Sequence, residues 1–302
     1  MKLNTVKILL ATYNGEKYIK EQIDSILDQE GVDVSISIAD DGSKDDTVNI
    51  IKNEYPNIEI LINSPGTGSA ANNFLKMIKT LDFNQDFEYV AFSDQDDVWL
   101  PKKMITAVNA LNTNNAQLYC SNLTKWDTTT QGFTELKKDF PQKKFDYLFE
   151  GGSAGCTYVF TKSFAKELRL FLEKIDYLDW KEFSHDWLVY FFARNRKYGV
   201  YIDSESCIHY RIHDSNLHGH LNKLSFATIK EKFKQVLNGY HYEHARNYIK
   251  YVSKDSEEYK IYKSFLGNYF NRNKMILKYN TQLMRDNKKM IIFALLNFIK
   301  FK

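Results

Sequence analysis

Three carboxylates fall within four residues in the segment Ser93–Trp99, namely Asp94, Asp96 and Asp97. The segment follows an apolar run at 89–92, which predicts a buried strand that ends in a turn. Carboxylates this close repel one another unless a positive charge lies between them. Mg²⁺ and Mn²⁺ take oxygen ligands of this kind and often bridge them to phosphates. An acidic turn or a helix cap uses the same residue types, so the segment is a candidate cation site that other elements must position.

Polar residues also follow the first two predicted strands. The strand at 6–11 leads into Thr-Tyr-Asn-Gly-Glu, and the strand at 33–39 leads into a run of acids and turn formers at 40–47. Neighbouring parallel strands open their end loops into one crevice, where side chains and helix N-termini hold nucleotides. Asp41 can accept the imide N–H of a uracil or thymine ring. Ser43 is predicted to cap a helix at 45–55. Capping does not require Asp40 and Asp41 as well, so both remain candidates for contact with a ligand.

A glycine-rich loop at 65–69 lacks the Lys-Ser/Thr pair of a P-loop, and no GxGxxG follows a strand. A dinucleotide fold is therefore not indicated. We predict that this loop lets the backbone approach a ligand, with Asn72 or Asn73 nearby.

Two later motifs carry further candidate groups. His185-Asp186-Trp187 lies at a predicted helix start, where the helix dipole favours an ionised carboxylate, as a general base requires. An ordinary helix cap is the alternative. In the segment 210–213, His213 is able to complete a metal site and Arg211 to meet a diphosphate. Structural roles are the alternative for both.

The elements that position these residues alternate between strand and helix, which indicates βαβ units and a mainly parallel sheet. Residues 122–155 are irregular and glycine-bearing and are expected to frame a second binding site. From about residue 223 the pattern is continuously helical, so we place a boundary near 215–225. The remaining predicted strands are at 58–62, 88–93, 117–121, 157–160 and 199–210, and the remaining helices are at 16–29, 70–80, 102–112, 162–173 and 185–196.

Composition narrows the class of protein. The chain has 302 residues, 43% of them hydrophobic, enough for one large α/β domain with an appendage or two modest domains. A net charge of +3, with no basic stripe inside a recognised nucleic-acid motif, does not indicate nucleic acid binding. The three cysteines are odd in number and lack metal-site spacing, which predicts reduced thiols. The chain runs straight into a strand without a signal peptide, and its longest apolar run is too short to span a membrane. We therefore expect a cytoplasmic protein, soluble or peripheral at the inner face of the cell membrane.

The C-terminal segment is strongly basic. Between Phe270 and Lys302 eight basic residues stand against one acidic residue. Its apolar residues Met290, Ile291, Ala294, Leu295 and Phe298 recur at helical spacing. A basic amphipathic helix of this kind is typical of membrane-surface binding. The alternative is a helix docked on the catalytic domain or on a second subunit.

Taken in order, these motifs resemble the family 2 glycosyltransferases with the GT-A fold, over residues 6 to about 215. The stretch 93–99, with His-Asp-Trp and Tyr-Arg-x-His, is most similar to bacterial rhamnosyltransferase-type members of cell-surface polysaccharide pathways. The matching segments are Ala-Thr-Tyr-Asn-Gly at 11–15, Asp-Gly-Ser-x-Asp-x-Thr at 41–47, Asp-Gln-Asp at 94–96, His-Asp-Trp at 185–187 and Tyr-Arg-Ile-His at 210–213.

The resemblance implies a fold and a division of the chain. The fold is α/β, a Rossmann-like GT-A type with a mainly parallel sheet flanked by helices and a helical C-terminal appendage. The catalytic domain would cover residues 1–220, with a nucleotide-sugar half at about 1–100 and an acceptor half at about 101–220. A helical region would follow at 221–302.

It also implies residue roles. Asp186 would be the catalytic base, although His185 replaces the first acid of the usual acidic pair. Asp94 and Asp96 would hold Mn²⁺ or Mg²⁺ on the diphosphate, with His213 as candidate third ligand. The acceptor side would include Trp99, Trp187 and the segment 151–157 with Gly155. The nucleotide-sugar would contact Thr12, Tyr13, Asn14, Glu16, Asp41, Asn73, Asp94, Gln95 and Arg211.

The implied activity is metal-dependent, inverting transfer of a sugar, with rhamnose as one candidate. The donor would be UDP- or dTDP-linked and the acceptor a hydroxyl of a growing cell-surface glycan or of a lipid- or protein-linked saccharide. One alternative is a sugar-phosphate nucleotidylyltransferase, which needs a glycine-rich, basic loop after the first strand. Another is a non-catalytic sugar-binding protein, against which the retention of Asp94, Asp96 and Asp186 argues.

Overall fold

A computed structural model describes residues 2–178, 180, 183–212 and 239–299. They form two compact units that are interleaved along the chain. Unit 1 contains the chain up to Asp139 together with Gly152–Asp176 and Phe192–Ile212. Unit 2 contains Phe140–Gly151, Tyr177–Phe191 and the described C-terminal residues. The boundary predicted near 215–225 lies outside the described residues, so the limits 1–220 and 221–302 stay predictions.

Unit 1 is built on a seven-stranded sheet that confirms the predicted α/β, mainly parallel architecture. Its first four strands are β1 (Asn4–Thr12), β2 (Val32–Asp40), β3 (Glu59–Ile62) and β4 (Tyr89–Ser93). β1 lies between β2 and β4 and is parallel to both, while β3 is parallel to β2. The carboxyl ends of these strands therefore share one edge of the sheet.

Three later strands complete this sheet. They are β6 (Leu118–Ser121), β9 (Val159–Thr161) and β10 (Val200–Asp203). β9 is antiparallel to both β4 and β6, and β10 is parallel to β6. The single antiparallel insertion places the turn before β9, a 3₁₀ helix at Gly155–Thr157, beside the end of β4.

Helices cover the sheet because each has an apolar stripe. On α1 this stripe consists of Ile19, Ile23 and Ile26, which are fully buried, whereas Leu27 is exposed. The helices of unit 1 are α1 (Ile19–Leu27), α2 (Thr47–Glu54), α3 (Ala70–Thr80), α4 (Lys103–Thr113) and α5 (Lys162–Leu172). A further helix, α6 (His185–Asn195), begins in unit 2 and ends in unit 1.

The predicted cap of α2 is wrong. The helix begins at Thr47 after Asp46, and no side chain caps it. Ser43 lies too far before the helix to reach its first turn. Its hydroxyl instead donates to Asp40 and accepts the N–H of Asn14 at 2.8 Å.

A smaller four-stranded sheet occupies part of the region that the sequence left irregular. Its strands are β5 (Val98–Trp99), β7 (Leu123–Asp127), β8 (Gly132–Leu136) and β11 (Ile208–Ile212), in the order β5-β11-β7-β8. β5 directly follows the acidic segment and pairs antiparallel with β11. This pairing brings the strand that carries Arg211 beside the acids.

The described part of unit 2 is mainly helical, as predicted. Its C-terminal helices are α7 (Tyr240–Tyr248), α8 (Glu257–Phe265), α9 (Tyr269–Tyr279) and α10 (Asn287–Ile299), with 3₁₀ helices at Asp146–Leu148 and Ile249–Tyr251. Phe149 packs against the rings of Tyr262, Phe265 and Phe293. None of the helices described is long and apolar enough to cross a membrane.

Charged residues also hold unit 2 together. The buried Arg285 donates to Glu150 at 3.2 Å and to the carbonyl of Gly151 at 2.6 Å, and lies 3.7 Å from Asp146. Arg272 is buried as well. Two of the basic residues counted toward a basic C-terminal surface therefore belong to the interior.

Candidate active site

The acidic segment is hydrogen-bonded to the end of β1. The amide oxygen of Gln95 accepts from the Thr12 hydroxyl at 2.6 Å and from the Tyr13 N–H at 2.8 Å, and its nitrogen donates to the Tyr13 carbonyl at 3.1 Å. Any side chain at Gly15 would collide with this amide. Thr12 is buried, while half of Tyr13 is exposed. Gln95 thus fixes the loops of β1 and β4 against each other.

The loop of β1 is tied equally closely to the loop of β2. Asn14, at a positive φ of 48°, accepts the Lys44 N–H at 2.9 Å. The carboxylate of Glu16 accepts the Asp46 N–H at 2.9 Å. The side chains of Asn14 and Glu16 therefore hold a neighbouring loop, and direct contact of either with a nucleotide stays a prediction.

Asp41 organises the glycine-rich loop. Its carboxylate accepts the N–H groups of Thr67 at 2.5 Å and Gly68 at 2.9 Å, and the side-chain amide of Asn63 at 3.2 Å. A carboxylate offers about four acceptor positions, so one remains for the predicted imide contact. Asn73 is buried and donates to the Ala39 carbonyl at 2.7 Å, which makes it a support of the β2 end.

Two of the carboxylates form a cluster with a thiol, in which Asp97 and Cys156 are buried and Asp94 is half-buried. Ligand atoms of Asp94, Asp97 and Cys156 lie within 4.8 Å of one another. Burial, and then repulsion from Asp96 and Asp94, raise the pKa of Asp97 well above its ordinary value. Burial also raises the pKa of the Cys156 thiol, so it stays protonated. Carboxylates without a thiolate fit a hard divalent cation.

The sequence analysis counted Asp97 among the clustered carboxylates but did not assign it as a metal ligand, and it gave Cys156 no role in the cation site. The motif spacing pointed to Asp94 and Asp96, and Cys156 had no ligand spacing along the chain. Cys156 reaches the acids only because β9 inserts beside β4. All three cysteines are free and buried, and their redox state stays a prediction.

The sequence analysis also missed Lys103, at the start of α4. Its ammonium lies 3.7 Å from the centre of the Trp99 ring, and the residue as a whole is 3% exposed. Burial lowers the pKa of Lys103 to about 8. A lysine beside Lys102 after a proline is typical of a solvated helix start, so no local pattern indicated this buried cation near the acids.

Arg211 packs against the acidic segment. Its guanidinium donates to the Asp96 carbonyl at 2.8 Å and to Glu21 at 2.5 Å, and lies 4.8 and 4.3 Å from the rings of Tyr18 and Trp126. Its backbone N–H donates to Asp97 at 3.3 Å. This geometry is that of a support for the acidic segment, and the predicted contact with a diphosphate is not tested. His213 lies outside the described residues.

In unit 2, Asp186 lies in the first turn of α6, as predicted. One carboxylate oxygen accepts the Trp187 N–H at 2.8 Å and the hydroxyl of Ser184. Burial lowers the pKa of the adjacent His185, which favours its neutral form. Asp186 therefore has a fixed orientation at a helix N-terminus, where the dipole favours the ionised carboxylate that a base requires.

The predicted acceptor-side residues offer little exposed surface in the structure. Trp99 and Trp187 are each 2% exposed, and Gly155 is buried. The indole of Trp187 donates to the Tyr147 carbonyl at 2.8 Å and stacks on His244 at 4.2 Å. Their acceptor role stays a prediction.

Comparison with known sequences gives full-length similarity. The sequence model of Glycosyl transferase family 2 matches residues 7–168. The dTDP-rhamnosyl transferase RfbG of Shigella flexneri is 35% identical over 96% of this chain and 99% of that protein. The uncharacterized glycosyltransferase RT0329 of Rickettsia typhi is 27% identical over 96% of this chain and 89% of that protein.

Solved structures agree in fold. S. aureus TarS 1-349 in complex with UDP-GlcNAc is 14% identical with a TM-score of 0.58, covering 99% of this chain and 89% of that one. The mannosyltransferase PcManGT from Pyrobaculum calidifontis in complex with GDP-Man and Mn²⁺ is 13% identical with a TM-score of 0.54, covering 98% and 80%. These similarities place the fold among the GT-A glycosyltransferases.

Proposed function

The chain belongs to Glycosyl transferase family 2 and is a nucleotide-sugar glycosyltransferase, and from that premise we propose that it transfers rhamnose from dTDP-rhamnose with inversion, in a reaction that depends on a divalent cation. The observation that carries the proposal is the hydrogen-bonded junction of the β1, β2 and β4 loops around Asp94 and Asp96. Such a junction fixes polar groups at the sheet edge where nucleotides bind.

The donor is proposed from the relative that matches almost end to end. RfbG is named a dTDP-rhamnosyl transferase, and the similarity covers nearly all of both chains. A relative named for UDP-Glc, the glucosyltransferase WfgD of Escherichia coli, is 26% identical over 60% of this chain. Asp41, with about one acceptor position left, suits the imide N–H that thymine and uracil share.

The cation, Mn²⁺ or Mg²⁺, would be held by Asp94 and Asp96, with His213 as the proposed third ligand. When bound, it supplies positive charge to the departing nucleoside diphosphate. Arg211 holds the segment that carries both ligands, because its backbone N–H donates to Asp97 and its guanidinium donates to the Asp96 carbonyl. Thr12, Tyr13, Asn14, Glu16, Asn73 and Gln95 keep the three loops in place around the donor.

Asp186 would act on the acceptor. Its carboxylate takes the proton from an acceptor hydroxyl as the oxygen attacks the anomeric carbon. The bond to the diphosphate breaks on the opposite face, so one displacement inverts the centre. Binding of the nucleotide positions the sugar for this attack. The acceptor is proposed to be a hydroxyl of a growing cell-surface saccharide, free or lipid-linked, at the cytoplasmic side of the membrane.

Family membership decides against the nucleotidylyltransferase alternative, and binding and turnover test the non-catalytic one. Thermal unfolding with dTDP-rhamnose, UDP-glucose and GDP-mannose, each with and without Mn²⁺, tests the donor and the cation together. A ligand at 100 times its Kd stabilises the native state by about 2.7 kcal/mol. We expect the largest shift with dTDP-rhamnose and Mn²⁺, and a larger shift for UDP-glucose would overturn the donor.

Asp96→Asn should remove the part of the shift that depends on Mn²⁺. Asp86→Asn is a matched control, because Asp86 is an exposed residue of unit 1 outside the three loops. Equal Mn²⁺-dependent shifts in both variants would rule out Asp96 as a ligand. Release of dTDP in the presence of a saccharide acceptor, but not in its absence, would distinguish sugar transfer from donor binding alone.

A further inference from the structure

Helix α10 presents large aliphatic side chains to solvent. Ile291, Ile292, Leu295 and Ile299 are 53–60% exposed. With 100° between successive residues, all four fall on one face, and Lys288 lies on that face one turn earlier. The opposite face, which includes Met290, Phe293 and Leu296, is buried in unit 2.

A helix that is apolar on both faces does not belong to an ordinary solvated surface. Such helices are buried in a protein or contact a membrane. Contiguous exposed aliphatic residues mark an interaction site, whereas single ones need no explanation. Elsewhere among the described residues most exposed hydrophobic side chains occur singly or in pairs, such as Leu170 on α5.

The neighbouring helix repeats the pattern. α9 is joined to α10 by a hydrogen bond from the Tyr269 hydroxyl to the Phe298 carbonyl at 3.0 Å. It exposes Phe270 to 79% and Leu277 to 59%, together with Lys274 and Lys278. Over the described residues of α9, α10 and their connection, the only acidic residue is Asp286.

From these observations we propose that the exposed faces of α9 and α10 bind an anionic lipid surface. The aliphatic face of α10 would lie among the acyl chains near the headgroups, and Lys274, Lys278 and Lys288 would meet the negative charge. An anionic membrane matches both the aliphatic residues and the basic ones, whereas a second copy of this chain would bring its own positive face against them. Surface binding is independent of the transfer reaction, so either proposal can fail while the other stands.

Co-sedimentation of the full chain with vesicles of phosphatidylcholine, with and without phosphatidylglycerol, tests this surface. The full chain should bind the anionic vesicles, and added salt should weaken the binding. Leu295→Glu should weaken vesicle binding by at least about tenfold, because it removes a leucine side chain that would be buried among the acyl chains. Lys288→Gln should weaken it about fivefold. The matched control Leu170→Glu places the same charge on another exposed helix and should bind as the unchanged chain does.

Three outcomes would overturn the proposal. One is failure of the full chain to bind anionic vesicles, and another is equal binding by Leu295→Glu and Leu170→Glu. The third is that the full chain binds no vesicles and sediments as a dimer, which Leu295→Glu converts to a monomer. That result would assign the exposed face to a second copy of the chain. Ile292→Ser is a milder variant in case Leu295→Glu fails to fold. Donor-induced thermal shifts measured in solution show that each variant is native and test the proposed function separately.

Discussion

Polar groups serve different purposes in the two compact units. In unit 1 they lie at the ends of β1, β2 and β4 and bond to neighbouring loops, as Gln95 does with Thr12 and Tyr13. In unit 2 buried polar groups lie among aromatic rings, as His244 does against Trp187. The first arrangement joins loops at the sheet edge where we propose that the donor binds, and the second joins helices. The same residue types therefore position loops in one unit and pack helices in the other.

The largest expected effect concerns the proposed base in unit 2. Asp186→Asn keeps the oxygen that accepts from Trp187 and Ser184 but loses the ability to take a proton. Transfer should fall by roughly 10²–10⁴-fold, while donor binding and melting temperature stay nearly unchanged, because the amide oxygen can still accept both hydrogen bonds. Single-turnover rates with a proven acceptor measure the effect. Transfer close to that of the unchanged chain would leave Asp186 with a structural role only.

The next prediction concerns the histidines of unit 2. Burial lowers the pKa of His241 to about 3, helped by His244 and Lys289, and lowers the pKa of His244 to about 4. The unfolded chain then binds more protons below pH 6.5, so the stability these neutral histidines give is complete above that pH. It is lost as pH falls toward 4, by about 1.4 kcal/mol per pH unit for each histidine.

His244→Phe keeps a ring against Trp187 and should flatten this slope by about one proton. Urea unfolding between pH 7 and pH 4.5 measures it. His209→Phe in unit 1 is the control, because His209 is only partly buried and should contribute less. An unchanged slope in His244→Phe would contradict the burial of that imidazole.

The sequence predicted unit 1 better than unit 2, for a physical reason. Strand and helix periodicity fixed the parallel sheet, and the motif order placed Asp94 and Asp41 at its edge. Long-range strand order, which local patterns do not contain, determines three other features of the site. These are the hydrogen bonds of Thr12 and Asn14 to other loops, the burial of Lys103 and the approach of Cys156 to the acids. In unit 2, helicity was predictable, but the burial of Arg285 depends on Glu150, far away in the chain.

A smaller effect is expected at the glycine-rich loop of unit 1. A methyl group at Gly66 would collide with the Asp41 backbone carbonyl. Gly66→Ala should therefore cost about 1–3 kcal/mol in stability and weaken donor binding, because the loop that holds the Asp41 carboxylate must shift. Gly132→Ala is the control, since Gly132 lies in the exposed β8 and meets only a side-chain hydroxyl. Calorimetric titration with donor compares the affinities of the two variants. Equal affinities would show that this loop is not part of the donor site.

The smallest predicted effect compares the same cap in each unit. Ser69 accepts the Asn72 N–H at the start of α3 in unit 1, and Ser256 accepts the Tyr259 N–H at the start of α8 in unit 2, both at 3.1 Å. Because the geometry is the same, Ser69→Ala and Ser256→Ala should each cost about 1 kcal/mol. Ser43 caps no helix, so Ser43→Ala should leave helix stability unchanged, although the variant loosens the loop that binds Asn14. Urea unfolding of the three variants gives the free energies. If only Ser43→Ala were destabilising, hydrogen bonds between loops rather than helix caps would stabilise this part of the chain. The prediction that both units depend equally on their caps would then be wrong.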